Sequence, residues 1–329
     1  MKMTDTKIDL KDRKILYELD LDCRQSNTQI GKKVGLTRDV VAYRIKRMQD
    51  EGILQYFCTV IDAFKLGYDV LRLYFQYQDI PLQVKEKMIK DLETYENSWA
   101  VYSATGAFDL GAVIWVKNIH EFYTFYDKFL HNYSKYIAQK IVSIYVQADE
   151  YEKTFLISEN KPIETRLIFS IINDGTSVDI DEVDYQLLNE IVLNARVPLI
   201  DIAEKLGLSS QAVTYRLHNL EKVGIIKGYR IEVDLSKFNL KHLDVRINLS
   251  DHSQRMKIIN YINRNPYFKC LNTTIGYTDI EIELILDNFE QLTEIMDMLM
   301  EKFPEAIRNY FYLRTRETHR ERWLPKIFK

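Results

Sequence analysis

The sequence predicts an α+β fold built twice in one chain, with a three-helix unit followed by a β-α-β-β-α-β unit and then the same pair again. Three observations predict it. Sliding the 329-residue chain against itself by 172 positions aligns its two halves without a gap for more than fifty residues. Within each aligned stretch apolar residues recur at helical spacing, and beyond it the period shortens to that of alternating strands and helices. The composition, 46% hydrophobic and 28% charged, is that of a folded chain long enough for two or more domains with cores of their own.

The repeat is dense in identities. Asp12 falls on Asp184, Leu16 on Leu188, Glu18 on Glu190, Arg24 on Arg196, Ile30 on Ile202 and Lys33 on Lys205. Gly35-Leu36 meets Gly207-Leu208, Val41 meets Val213, Tyr43-Arg44 meets Tyr215-Arg216, Gly52-Ile53 meets Gly224-Ile225, and Asp62 meets Asp234. So many matches in one register mark a tandem duplication.

In the first copy, Ile15, Leu16 and Leu19 place a helix over about residues 9–22. A second, short helix covers about 27–34 and ends at Gly35, a C-terminal glycine cap. Thr37 is positioned as N-cap of a third helix to about Asp50, with Val41, Ile45 and Met48 inward and Gly52 as its stop. The β-rich run Ile53–Ile61 follows as a wing. Copy two repeats each step with Ser209 as N-cap, Val213, Leu217 and Leu220 inward, and Gly224 as stop.

The second part of each copy reads as strand 69–78, helix 82–95, strands 98–105 and 108–116 around Gly106, helix 118–136 and strand 140–147, and again as 243–249, 253–264, 268–275, 279–286, 288–303 and 307–313. That order is the ferredoxin-like split βαβ plan. The expected boundaries are a winged helix-turn-helix at 1–66, a ferredoxin-like domain at 67–157, a connector at 158–177, a second winged unit at 178–239, a second ferredoxin-like domain at 240–315, and a basic tail at 316–329 carrying Trp323. The connector's stretch 165–172 is apolar enough to form an extra strand or helix.

The pattern Asp12…Ile15-Leu16…Arg24…Ile30…Val34-Gly35-Leu36-Thr37…Val41…Arg44-Ile45…Met48…Gly52-Ile53 resembles the DNA-binding domain of the Lrp/AsnC transcription regulators. Thr105-Gly106-Ala107-Phe108-Asp109-Leu110 is similar to a turn in that family's ligand-sensing ferredoxin-like domain, and Ile275-Gly276-Tyr277-Thr278-Asp279-Ile280 stands at the same place in copy two. The resemblance implies double-stranded DNA as partner, an amino-acid-like effector, and dimerisation through the ferredoxin-like domains. Gly106, Phe108, Asp109, Gly276, Tyr277 and Asp279 become candidate effector contacts on that ground, beside the plainer role of tight hairpins. The family carries one copy per chain; two fused copies imply an intramolecular pseudo-dimer reading an asymmetric site, with further homo-oligomerisation left open.

A recognition helix needs base-reading side chains near its N-terminus and cations for the flanking phosphates. Copy one offers Thr37, Arg38, Asp39, Ala42, Tyr43, Arg44, Lys46 and Arg47, four cations against one anion, with Arg24, Lys32 and Lys33 nearby. Arg38 suits a guanine edge, Arg44 and Arg47 suit phosphates. Copy two offers Ser209, Ser210, Gln211, Thr214, Tyr215, Arg216 and His218, with one formal cation. The basic face of copy one answers the objection raised by the net charge of −3, since only the face that meets phosphate must be basic.

Cys23, Cys58 and Cys270 show no metal-ligand spacing and read as reduced thiols in a cytoplasmic protein. No apolar run is long enough to span a bilayer, and the N-terminus shows no export signal. No catalytic residue, metal or cofactor is expected. The rival from another class is an enzyme, because siroheme decarboxylases share this two-domain plan. Their His-containing segment has no counterpart in NSWAVYSATGAFDL or YFKCLNTTIGYTDI, and the six histidines form no visible constellation. The other rival is a ligand-sensing interaction protein that no longer binds DNA. The aromatic run from Phe122 to Tyr136 reads as packing, not as a cofactor site.

Overall fold

A computed structural model describes residues 8–157 and 163–327. The first seven residues of the polar N-terminus, residues 158–162 of the expected connector, and 328–329 of the expected tail lie outside the described residues.

Each repeat opens with three helices, α1 (Leu10–Leu21), α2 (Asn27–Val34) and α3 (Arg38–Asp50) in the first and α6 (Glu182–Ile191), α7 (Leu199–Leu206) and α8 (Ser210–Lys222) in the second. The local signals act as expected. Thr37 and Ser209 cap α3 and α8 through their side-chain oxygens, and Gly35 and Gly207 end the preceding helices at φ +68° and +65°. Val41, Ile45 and Met48, and Val213, Leu217 and Leu220, are buried.

The expected wings are not wings. Each unit continues into a single strand, β1 (Leu54–Ile61) or β7 (Ile226–Val233), and the two pair antiparallel with each other across the repeats. Cys58 sits opposite Arg230, its own counterpart 172 residues later, flanked by Phe57 opposite Ile231 and Thr59 opposite Tyr229. An approximate two-fold axis therefore passes through the Cys58–Arg230 pair. One strand without a hairpin partner leaves its backbone donors and acceptors unpaired, and the sister copy satisfies them.

The ferredoxin-like parts are β2 (Asp69–Tyr77), α4 (Leu82–Thr94), β3 (Ser98–Gly106), β4 (Leu110–Val116), α5 (Ile119–Tyr133) and β5 (Ile137–Tyr151). They recur, after the added strand β6 (Ile168–Ile172), as β8 (Lys241–Leu249), α9 (Arg255–Ile262), β9 (Phe268–Ile275), β10 (Ile280–Leu286), α10 (Phe289–Lys302) and β11 (Ile307–Glu321). The strand order β2-β4-β3-β11-β8-β10-β9-β5, with β5 returning to β2, closes the two sheets into an eight-stranded ring, and β6 adds outside β5. Closure runs through β3–β11 and β5–β9, the same contact made twice.

Both closing strands extend past their expected ends. β5 reaches Tyr151 and β11 reaches Glu321, so residues 316–321 of the expected tail are strand, held to Val101 and Ala100. The apolar stretch of the connector forms β6 on β5. Helices α4 and α5 cover the outer face of one sheet, over Leu71, Leu73, Phe75 and Ile114. Helices α9 and α10 cover the other, over Leu243, Val245, Ile247 and Ile282. Phe122, Phe129 and Tyr133 are buried there, the packing role expected for the aromatic helix. The alternate residues of each strand face inward, between the sheets.

Candidate functional site

On α3 the structure separates exposed groups from braced ones. Arg38, Asp39, Tyr43 and Lys46 are exposed, and Arg38 and Lys32 make no ion pair among the described residues. Lys46 lies 3.2 Å from Asp50 across an exposed turn. Ala42 is half-buried, and the Thr37 hydroxyl accepts from Val40 N within its own helix.

Arg44 donates to Asp9 at 2.7 Å and to Asp12 at 2.8 Å, and Arg47 donates to Asp12 at 2.6 Å. Asp12 is wholly buried. These two arginines, expected on phosphates, clamp α3 to α1. Copy two repeats the clamp, since Arg216 donates to Asp181 at 2.8 Å and Asp184 at 2.7 Å. Arg24 and Lys33 are also engaged. The Arg24 guanidinium lies 5.0 Å over the Tyr229 ring, and Lys33 reaches Glu18 and Gln25 at 2.7 Å. Arg196, the partner of Arg24 in the repeat, donates to the Cys23 and Gln25 carbonyls of the other copy. The arginines shared by both copies are therefore braces. Of the residues that the two recognition helices share, those left in the open are Tyr43 and Tyr215, 68% and 67% exposed.

On α8, Ser210, Gln211, Thr214 and His218 are exposed. The Ser209 hydroxyl caps the helix at 3.1 Å from Ala212 N, Thr214 donates to the Ser210 carbonyl at 2.8 Å, and His218 lies 3.8 Å from Glu221. Among the described residues of its first turns the second face offers hydrogen bonds without a free cation, and Lys222, exposed in the last turn, is the cation without an ion pair.

The two glycine turns sit on the seam between repeats. Gly106 has φ +114° and Gly276 φ +133°, and a Cβ on either would collide with a facing carbonyl, that of Tyr312 for the first and Val142 for the second. Asp109 accepts from Tyr77 N at 2.8 Å and Asp279 from Leu249 N at 2.7 Å. Phe108 is buried, stacked on Tyr74 at 5.2 Å and edge-on to Tyr277 at 5.9 Å. Phe108, Asp109, Tyr277 and Asp279 are joined to protein partners, and none of the six residues lines the cavity between the two sheets.

That cavity, of about 610 Å³, lies between the inner faces of the sheets under the β1–β7 ribbon. From the first repeat it is lined by Val70, Arg72, Trp99, Val113 and Trp115, with Trp99 and Trp115 stacked at 5.5 Å. From the second it is lined by His242, Asp244, Lys269 and Glu283. His242 and Lys269 each lie 3.0 Å from Glu283, and Asn272 donates to its other oxygen at 3.0 Å. Burial pushes the Glu283 carboxyl up, but Lys269 and His242 outweigh it and hold the group well below the usual carboxylate range. Ligand atoms of His242, Asp244 and Glu283 fall within 4.8 Å of one another, so one histidine does belong to a constellation. Both Glu283 oxygens already have partners, which makes the group an ion-pair network as it stands. Burial raises all three thiols, Cys23 to about 12, and the three cysteines are free.

Sequence reasoning missed this cavity, although a signal was present. The strand KHLDVRINL alternates His242, Asp244 and Arg246, and IEIELIL alternates Glu281 and Glu283, at positions where a two-layer core expects apolar side chains.

Comparison with known proteins agrees with the repeat. Residues 8–49 match the model of the AsnC-type helix-turn-helix domain, and residues 180–227 match a winged helix-turn-helix DNA-binding model. An uncharacterised HTH-type transcriptional regulator of Pyrococcus furiosus is 32% identical over 114 residues, 35% of this chain and 76% of that protein. The proline dehydrogenase transcriptional activator of Rhodobacter capsulatus is 36% identical over 77 residues, 23% of this chain and half of the activator. Among solved structures, the siroheme decarboxylase NirDL shares the fold with a TM-score of 0.61 at 11% identity, over 94% of this chain and 92% of that one. No helix among the described residues is long and apolar enough to cross a membrane.

Proposed function

This chain belongs to the Lrp/AsnC family of helix-turn-helix transcription regulators, and from that premise we propose that it binds double-stranded DNA as an intramolecular pseudo-dimer on an asymmetric site. The β1–β7 ribbon carries this reading. It holds one recognition unit on each side of an approximate two-fold axis, in a single chain, with unlike residues on the two recognition helices.

α3 is the principal reader. Arg38 stands free in its first turn, where a bidentate contact to guanine supplies about 1–3 kcal/mol of discrimination. Tyr43, Lys32 and Lys46 flank it. α8 reads with Ser210, Gln211, Thr214, Tyr215 and His218, and holds phosphate more weakly. Thr37, Arg44, Arg47, Ser209 and Arg216 set the pose of the helices, and Asp39 and Ala42 shape the surface beside Arg38. The protein works in the cytoplasm, and a small molecule modulates it.

Footprinting of genomic fragments tests the asymmetry. Protected half-sites of unequal sequence are expected; strict palindromes with equal protection would contradict it, because a symmetric operator mirrors a symmetric reader. Absence of any salt-dependent shift with genomic DNA would leave a sensing protein without DNA binding. One observation favours a second reading, an enzyme on this fold: the cavity places His242 beside Asp244 and Glu283. A visible spectrum unchanged by added tetrapyrrole removes it.

A further inference from the structure

The two long closing strands have unequal edges. β5 and β11 each run 15 residues, held on one edge by their own sheet and on the other by the sister repeat. On its own-sheet edge β5 pairs with β2 no further than Ile144, and β6 then takes over, with Ile172 opposite Gln147 and Ile168 opposite Tyr151. On the matching edge β11 pairs with β8 no further than Leu313, and no strand follows among the described residues. Both strands have the same length, so residues 317–321 stand where 147–151 do. Exposure follows the difference: Ala148, Asp149 and Tyr151 are buried, whereas Glu317, Thr318 and Glu321 are exposed. The space beside this bare edge is open, since Thr318, Glu321, Ser236, Leu240 and Lys241 line the cavity between the sheets.

The first repeat shows what such a slot receives. β6 turns Phe169 and Ile171 toward the cavity, and the Phe169 ring lies so close to Gly228 of the ribbon that a Cβ there would collide with it. Just past the strand, Asn173 donates to Asp69 at 2.8 Å and Asp174 meets Lys65 at 2.9 Å. The second repeat keeps the receiving side of this arrangement without the strand. Lys237 and Lys241 stand 172 positions after Lys65 and Asp69, so both places now carry a cation. Lys241 reaches the Asp287 carbonyl at 2.5 Å, while Lys237 is exposed and makes no ion pair among the described residues. Tyr56 stands where the other ribbon strand has Gly228, so the place of Phe169 takes a small side chain here. An unpaired edge is a template for another extended chain, because its N–H and C=O groups have no strand to bond.

We propose that the bare edge of β11 at residues 317–321 receives an extended segment of a partner polypeptide as an added antiparallel strand. The segment is apolar, small where it faces Tyr56, and acidic just past the strand, where it meets Lys237. The bulge at His319 and the charges of Glu317 and Arg320 keep the edge from pairing with any strand at hand. A second copy of this chain is a poor occupant. Paired with itself over the slot, the edge sets Glu317 against Glu321 twice, and like charges directly opposite are destabilising. Tyr56 belongs to β1, so the partner's strand touches the ribbon that joins the two recognition units.

The probe is a synthetic peptide of residues 165–175 carrying Phe169→Ala, labelled at its N-terminus and titrated with the full chain, without DNA, by fluorescence anisotropy. The alanine suits Tyr56 and removes the ring that the slot on β5 holds, which disfavours exchange with the chain's own β6. Saturable binding is expected, with new amide protection in hydrogen exchange centred on 317–321, and a scrambled peptide of the same composition should not bind. Lys237→Glu should weaken binding about fivefold. The Asp174→Lys form of the peptide should prefer that variant to the unaltered chain, a reversal that loss of structure does not produce. The thermal midpoint of Lys237→Glu, read by circular dichroism, shows whether its fold is intact; if it does not fold, the scrambled control and the protection map on the unaltered chain decide. No saturable binding, equal binding of the scrambled peptide, no new protection at 317–321, or a folded Lys237→Glu that binds as before overturns the proposal. So does a free chain that is dimeric with 317–321 already protected, since a second copy then holds the slot. No DNA is present, so either result leaves the DNA-binding reading where it stood.

Discussion

At the centre of the ribbon the first repeat places Cys58 and the second Arg230, and the same inequality runs through the space between the sheets. Where the first repeat has Arg72 and Tyr74, the second has Asp244 and Arg246 at the matching strand positions. Where the first has Gly111, Val113 and Trp115, the second has Glu281, Glu283 and Ile285. The outer faces, under their helices, are apolar in both. In a dimer of identical chains a residue on the axis faces itself, and two copies of Arg230 would bury two cations together. Fusion removes that constraint. Arg230 instead takes Asp20 at 2.7 Å, Glu150 at 2.9 Å and the Tyr151 carbonyl, while Arg72 of one sheet pairs with Glu281 of the other. The unequal inner faces specify pairing of unlike copies and disfavour pairing of like ones.

The sharpest way to break this comparison is at the axis. Arg230→Met strands the Asp20 carboxylate in a site where it is wholly buried, with Lys153 as its remaining cation. Losing one member of a buried ion pair costs about 3–5 kcal/mol, whereas replacing both by apolar groups is often close to neutral. Denaturant unfolding should therefore place Asp20→Leu/Arg230→Met closer to the unaltered chain than Arg230→Met alone. A double variant as unstable as the sum of the singles would show that the pair does not act as a unit.

The seam gives the next largest effect. Gly106→Ala and Gly276→Ala each force a Cβ into the left-handed region, which costs about 1–3 kcal/mol before any collision. Gly106 meets its facing carbonyl more closely than Gly276 does, so Gly106→Ala should lower the denaturation midpoint further. At the recognition helices, Arg38→Ala should lose about 1–3 kcal/mol of discrimination between the preferred site and one-base variants. Ser210→Ala, at the matching position, should lose less, as measured by competition binding. Arg44→Ala and Arg216→Ala should lower the thermal midpoint and leave the salt slope of DNA binding within one unit of the original. A slope reduced as for a lost phosphate contact would return those arginines to the DNA.

The helical units were legible because their signals are local: Thr37, Gly35, Gly52 and the inward stripe act over one or two turns and need nothing from the rest of the chain. The ferredoxin-like order was legible for the same reason. Pairing between repeats was not. Whether residues 54–61 form a wing or a ribbon depends on a partner strand 172 positions away, and β5 and β11 run long because β9 and β3 lie beside them. The identities shared by the copies also misled at particular residues. Arg44 and Arg216 recur because Asp9, Asp12, Asp181 and Asp184 recur, a clamp invisible without the third dimension. Glu283 and Glu321 belong to strands whose alternation was readable, but their convergence on one cavity needs the ring to close.

The smallest difference tests the clamps themselves. In the first copy Arg44 and Arg47 both hold Asp12, which is shut away from water; in the second Arg216 alone holds Asp184, whose side chain is 19% exposed. The outer carboxylates are alike. Burial opposes, but Arg44 and the Asp12 amide hold the Asp9 carboxyl below the usual range, and the Asp184 amide, then Arg216, does the same for Asp181. A carboxyl lowered in the folded state stabilises at pH above its unfolded value near 3.8, and that stability disappears as pH falls through the folded value. Each exposed pair contributes less than about 1 kcal/mol and is screened by salt. The second clamp has no buried carboxylate behind it, so acid and salt should loosen α8 before α3. Amide exchange of the two helices, corrected for intrinsic rate, should show protection in α8 falling first. Equal loss in both would mean that Arg47 adds nothing to the first clamp, and that the copies differ on their reading faces but not in how those faces are held.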